Sequence, residues 1–186
     1  MIRLFAALTI PVFIGEGLLR RQNGLEGADW RPAEAFHITL KFAGDLREDQ
    51  AADFSEALAG IGAPALALEL AGVGAFGEGL HLHAVWVGVE DNPALKQLAR
   101  ACEGAGRKVG LAPDARVYRP HVTLAYLNRP SGDAVAQWIQ ANNLIHSPRF
   151  EIDQFGLYSS WRTQAGSRYR LERSYPLGGV KPSQGV

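Results

Sequence analysis

The feature that most limits how this chain can fold is a near-repetition. Residues 36–40 read FHITL and residues 120–124 read PHVTL, each inside an apolar, β-prone run. Their histidines, His37 and His121, stand 84 residues apart in a chain of 186, close to half its length. The spacing predicts a helix starting ten residues after each, at Arg47 and at Ser131. The elements around these anchors recur in one order. After a buried first strand (2–10), a helix over 11–22 opens at Pro11 and ends before Gly24. A His-Thr strand (36–44), a helix (47–60) and two strands (65–73 and 81–89) follow. The second half then gives a helix from Pro93 with Asp91 or Asn92 as cap, a strand (121–127), a helix capped by Ser131, and strands over 149–160 and 167–177. Identity between the halves is faint beyond the motif, so the repeat is one of architecture. Two lobes related by a pseudo-two-fold axis would set the motif strands against each other across a cleft. The expected unit spans 1–177, with half-repeats of about 10–90 and 91–177, and a flexible tail over 178–186.

Side chains alternate along a strand, so His37 and Thr39 share one face while Ile38 and Leu40 enter the core. The same holds for His121 and Thr123 against Val122 and Leu124. Two facing imidazoles can divide proton transfer, one neutral and one protonated near neutrality. The first takes a proton from a nucleophile and the second gives one to a leaving oxygen. Threonine hydroxyls can donate to oxygens whose charge grows in the transition state. These are the parts that phosphodiester hydrolysis without a metal requires.

Composition narrows the setting. Hydrophobic residues make up 47% and charged residues 20%, an ordinary globular balance. No run reaches the length of a membrane-spanning helix. The apolar opening "MIRLFAALTIPVFIGEGLL" reads as a buried strand rather than a signal peptide. The one cysteine, Cys102, falls on the apolar face of a predicted helix, allows no internal disulfide and fits a reducing cytoplasm. Formal net charge is zero, but residues from Arg107 onward carry 11 Lys/Arg against 5 Asp/Glu. That basic half can meet a phosphate-bearing ligand.

The paired motifs "HITL" and "HVTL" resemble those of the 2H phosphoesterases. "RLFAAL" (3–8), "GVGAF" (72–76), "VWVGV" (85–89), "RPHVTLAY" (119–126) and the "LYSS…G…Y" ending (157–169) resemble their RNA 2′,3′-cyclic phosphodiesterase branch, also called 2′-5′ RNA ligase-like. The resemblance implies an α+β fold in which two antiparallel sheets line a central cleft with helices outside. It implies hydrolysis of 2′,3′-cyclic phosphate ends to 2′-phosphomonoesters without a cofactor, with RNA ends or small cyclic nucleotides as substrate and a monomeric cytoplasmic enzyme. His37 would be the proton donor and His121 the proton acceptor, with Thr39 and Thr123 on the phosphate. Many members carry Arg five residues after the second motif histidine; here that position is Tyr126, matching Phe42 in the first half. The missing charge is then expected from Arg119, which flanks the second motif, or from Lys41 if its strand stays regular.

Three alternatives stand beside this reading. The same site could run in reverse as a 2′-5′ RNA ligase. "HLH" (81–83) puts His81 and His83 on one predicted strand face, and a third ligand would make a zinc hydrolase. The fold could also bind RNA ends or nucleotides without turnover. Phe76, Tyr158 and Trp161 are candidates for stacking a base.

Overall fold

A computed structural model describes residues 1–163 and 166–178. The apolar opening run forms β1 (Ile2–Thr9), whose Leu4, Phe5, Ala6, Ala7 and Leu8 are all buried. A strand covered on both faces reads as a continuous apolar run rather than an alternation. β1 lies antiparallel between β3 (His37–Leu46) and β9 (Gln154–Thr163). The order of the main sheet is β10 (Gly166–Pro176), β9, β1, β3, β7 (His121–Leu127), β6 (Ala84–Val89) and β5 (Leu70–Phe76). A short β2 (Ala28–Trp30) runs beside β7, and β4 (Leu66–Leu68) pairs with β8 (Phe150–Ile152) in a separate ribbon.

The path through this sheet hides a division into two half-sheets. β3 and β7, the two motif strands, meet at one ladder pair, Ile38 opposite Val122, both fully buried. The late strands β9 and β10 complete the half-sheet built on β1 and β3. The early strands β5 and β6 complete the half-sheet built on β7.

Among the described residues four α-helices flank the strands: α1 (Val12–Leu19), which packs on the 3-10 turn Ala33–Ala35, α2 (Glu48–Ala59), α3 (Pro93–Lys108) and α4 (Gly132–Asn142). α2 lies on β1 and β10, α3 on β3, and α4 on β5. Their starts follow the capping residues. Asn92 Oδ1 accepts from the Leu95 N–H at 2.9 Å, and Ser131 Oγ accepts from the Ala134 N–H at 3.4 Å. Phe54, Leu58, Leu95, Leu98, Cys102, Val135 and Trp138 form the buried helix faces. Burial pushes the Cys102 thiol up to about 12, the behaviour of a core thiol without nucleophilic use.

Four local expectations change, the first being the single strand over 149–160, which is two strands: Phe150–Ile152 pairs with β4 and Gln154–Thr163 with β1. The run 65–73 is two strands, because Leu66–Leu68 pairs with β8 while β5 begins at Leu70 and pairs with β6. "HLH" is not strand: Gly79–His81 forms a 3-10 turn, β6 starts at Ala84, and His81 and His83 are exposed. β2 is an addition, since "ADW" carries no periodicity of its own. The tail expectation falls on 178–186, of which 179–186 lie outside the described residues.

Candidate active site

Both motif strands carry the same irregularity, and it decides which side chains reach the cleft. Along β3, Thr39 pairs with Ala7 and Lys41 with Ala6, so Leu40 is an extra residue. Along β7, Thr123 pairs with Trp86 and Ala125 with Val85, so Leu124 is extra. A bulge of this kind shifts the alternation by one. Over His37–Ala43 and over His121–Leu127 the order of burial is accordingly the same: half-buried, buried, half-buried, buried, buried, exposed, half-buried. The bulges send Leu40 with Lys41, and Leu124 with Ala125, to the core. They bring Phe42 and Tyr126 to the face of the histidines and threonines.

This corrects the expectation for Lys41. A regular strand would have set it beside Thr39, but its side chain is only 3% exposed and its ammonium is taken up elsewhere. It pairs with Glu103 at 2.6 Å and Asp114 at 3.7 Å, and donates to the Ala112 carbonyl at 3.2 Å.

Antiparallel pairing centred on Ile38 and Val122 sets His37 beside Thr123 and Thr39 beside His121. The two motifs thus interlock head to tail. Each imidazole is held in the same way: Nδ1 of His37 lies 2.7 Å from the Ala35 carbonyl, and Nδ1 of His121 lies 2.7 Å from the Arg119 carbonyl. A carbonyl only accepts, so Nδ1 carries the hydrogen in both rings and Nε2 is left for a substrate. Aromatic rings close around each. Phe5 and Tyr169 lie 4.9 and 5.1 Å from the His37 ring, and Phe76 and Trp86 lie 4.7 and 6.1 Å from that of His121. Burial lowers the His37 pKa to about 4, and the charges of His121 and Arg31 push the same way. His121 is also lowered, by burial first and then by the charges of Arg119 and Arg116. Both imidazoles therefore favour the neutral form, rather than one of each as the sequence suggested.

The cleft has two chambers that share Thr39, Phe42 and Tyr126. The His37 chamber is a cavity of about 780 Å³ whose wall includes Arg3, Arg31, Arg162 and Tyr169. The His121 chamber, about 360 Å³, holds Thr123, Arg119, Phe76 and Tyr118. All six expected site residues line one or both. Arg119 is exposed, with its guanidinium carbon 5.6 Å over the Trp86 ring. Of the stacking candidates, Phe76 stands in the site. Tyr158 sits behind Phe5, bonded to Thr9 through its hydroxyl at 2.6 Å, and Trp161 borders a separate depression.

Segments preceding each motif tie the opposite strand in place. Tyr118, three residues before His121, donates its hydroxyl to the Thr39 carbonyl at 3.1 Å. Arg31, six residues before His37, donates its backbone N–H to the Leu124 carbonyl at 2.8 Å. Neither residue is singled out by the sequence, whereas Phe5, Trp86 and Tyr169 fall inside segments that carry the family resemblance without being marked there as site residues. For Phe5 and Trp86 a signal exists: they lie on the strands flanking the motif strands. Among the described residues no three His, Cys, Asp or Glu side chains gather where a metal ion could be held. The zinc alternative thus lacks its third ligand among the described residues, and His83 rests with Nδ1 3.0 Å from the His81 carbonyl.

Comparison with known proteins agrees with this geometry. Residues 19–164 match the family model of the 2′-5′ RNA ligase superfamily. The chain belongs to that superfamily. A relative from Geobacillus stearothermophilus, named RNA 2′,3′-cyclic phosphodiesterase, is 32% identical over 81% of this chain. The chain spans about half of that relative's length (48%). A relative of the same name from Aeropyrum pernix is 31% identical over 74% of this chain and 79% of its own. Escherichia coli LigT, crystallised with 3′-AMP, superposes with a TM-score of 0.78 at 25% identity, covering 96% of this chain and 99% of LigT. A protein from Thermus thermophilus shares the fold at the same TM-score, with 20% identity over 95% of this chain and 98% of its own. This α+β architecture is that of the superfamily.

Proposed function

We propose that this member of the superfamily is an RNA 2′,3′-cyclic phosphodiesterase that hydrolyses cyclic phosphate ends to 2′-phosphomonoesters without a metal. The observation that carries the reading is the matched pair of imidazoles. Two half-buried histidines on paired strands each donate Nδ1–H to a carbonyl two residues upstream, leaving Nε2 for one shared cleft. Curated relatives bearing that activity in their name support it.

In the reaction, water attacks phosphorus while Nε2 of His121 takes its proton. The bond from phosphorus to the 3′ oxygen breaks, and His37 delivers a proton from Nε2 to that oxygen. Thr39 and Thr123 hold the non-bridging oxygens, with Arg119 and Tyr126 as further substrate contacts. His37 needs a second proton to serve as donor, and a bound phosphate anion favours it by offsetting the desolvation that disfavours the charged ring. Both histidines come from one chain, so a monomer suffices, and the buried single cysteine suits a cytoplasmic setting.

Each proton-transfer group contributes about 10²–10⁴-fold. His37→Ala and His121→Ala are each expected to cut turnover of a 2′,3′-cyclic mononucleotide and of a cyclic-ended oligonucleotide by at least about 100-fold. Melting temperature should stay within a few degrees, and a chelator should change nothing in the wild-type rate. Full activity in either variant, or loss on chelation, overturns the reading. Sealing of ends rather than hydrolysis would move it to the ligase direction.

A further inference from the structure

The His37 chamber contains a buried cation that neither motif supplies. Arg31 follows β2 and is only 5% exposed, and it enters none of the ion pairs formed among the described residues. A guanidinium offers five N–H donors. Among the described residues one side-chain acceptor contact is made, from Nη2 to the Ser167 carbonyl at 3.4 Å. The guanidinium carbon lies 5.4 Å over the Tyr126 ring, and the side chain lines the same cavity as His37 and Thr39. Gly166 packs close against it. A Cβ at that position, where φ is +100°, would stand 3.3 Å from Nη1.

A buried charge is ordinarily paired. This one is anchored through its backbone to β7 and oriented by an aromatic face, and among the described residues its remaining donors on the cleft side meet no acceptor. We propose that Arg31 is the phosphate-binding cation of this site, delivering from the β2 side the charge that Tyr126 does not bring. The other cations nearby are placed differently. Lys41 is engaged by Glu103 and Asp114, Arg3 pairs with Asp45 at 3.1 Å, Arg162 is exposed near the end of β9, and Arg119 over Trp86 and the exposed Arg116 belong to the other chamber. Tyr126 then has a defined part. Its ring holds the guanidinium plane, and its position is the place from which a relocated charge could reach the same anion.

The proposal rests on the cyclic phosphodiesterase reading, but its test separates the two. Arg31→Met should lower kcat/KM for a 2′,3′-cyclic nucleotide roughly 100-fold, as loss of one preorganised donor to a developing oxyanion does. Affinity for inorganic phosphate should fall with it. Adding Tyr126→Arg to Arg31→Met should recover at least about 10-fold by returning a charged group that can bind phosphate oxygens. In the unaltered protein, the Arg31 Nε–H resonance should move when inorganic phosphate is titrated in, whether or not the protein is active on cyclic ends. Phosphate affinity and turnover within twofold of wild type in Arg31→Met overturn the proposal. So does failure of the double variant to recover while folded. If Arg31→Met does not fold, the resonance decides alone: a shift on phosphate addition supports the assignment and its absence overturns it.

Discussion

At the scale of single residues, the histidines differ from free imidazole in one consistent direction. The proposed catalysis needs the acceptor neutral, so pH above its pKa, and the donor protonated, so pH below its own. Both values are lowered in the free protein, His37 to about 4, with burial the largest cause in each. The kcat/KM profile reports the free enzyme. It should therefore be a bell whose maximum lies below pH 6.5 and which falls as pH rises through neutrality. The kcat profile reports the bound complex, where the phosphate anion favours imidazolium, so its limbs should sit at higher pH. Initial rates between pH 4 and 9, at low and at saturating substrate, distinguish the two. A kcat/KM maximum at or above pH 7 would contradict the burial of these rings.

At the scale of elements, the bulges in β3 and β7 do what the motif letters alone do not. In "HITLKF" and "HVTLAY" strict alternation puts Lys41 and Ala125 on the histidine face; the bulges put Phe42 and Tyr126 there instead. Lys41 becomes a clamp between β3 and α3 through Glu103. Lys41→Met should destabilise the protein by about 2 kcal/mol, less than the 3–5 typical of breaking a buried pair. Glu103 is 20% exposed and keeps Arg107 at 3.1 Å, which moderates the loss. Denaturant melts should show that decrease while kcat/KM of the folded variant stays within about threefold; a collapse of turnover would return Lys41 to the phosphate site. The same comparison shows what was readable in advance. The four helices, their Asn92 and Ser131 caps, both motif strands and the shared place of His37, Thr39, His121 and Thr123 follow from periodicity and capping chemistry. β2, the break between Leu68 and Leu70, and Arg31 do not. Each depends on which distant strand it meets, and local sequence carries no trace of a partner as far off as Phe150 is from Leu68 or Ser167 from Arg31.

At the scale of the whole molecule, the strands are exchanged between the halves. β1 and β3 come from the first half, yet β9 and β10, which cover the β1 edge, come from the second. We propose that residues 1–177 form one unit whose half-repeats, about 10–90 and 91–177, cannot stand alone. A fragment of residues 1–90 would leave β1 as an uncovered apolar edge and should show no cooperative melt by circular dichroism. Mixed with a fragment beginning at residue 91, it should regain structure and activity. A cooperative melt of the isolated first fragment would show that the halves are independent.

The two chambers bear on regiochemistry. A pair of imidazoles exchanged by a two-fold axis has no handedness of its own, and a cyclic phosphate offers it two nearly equivalent ester oxygens. Selection between the 2′ and 3′ oxygens must then come from whatever breaks the symmetry. Here that is the walls: Arg3, Arg31 and Arg162 with Phe5 and Tyr169 around His37, and Arg116 and Arg119 with Phe76 and Tyr118 around His121, in a smaller chamber. On the proposed reaction the histidines would supply the rate, while the unequal walls would choose which way round the ribose lies and so which isomer of the product leaves.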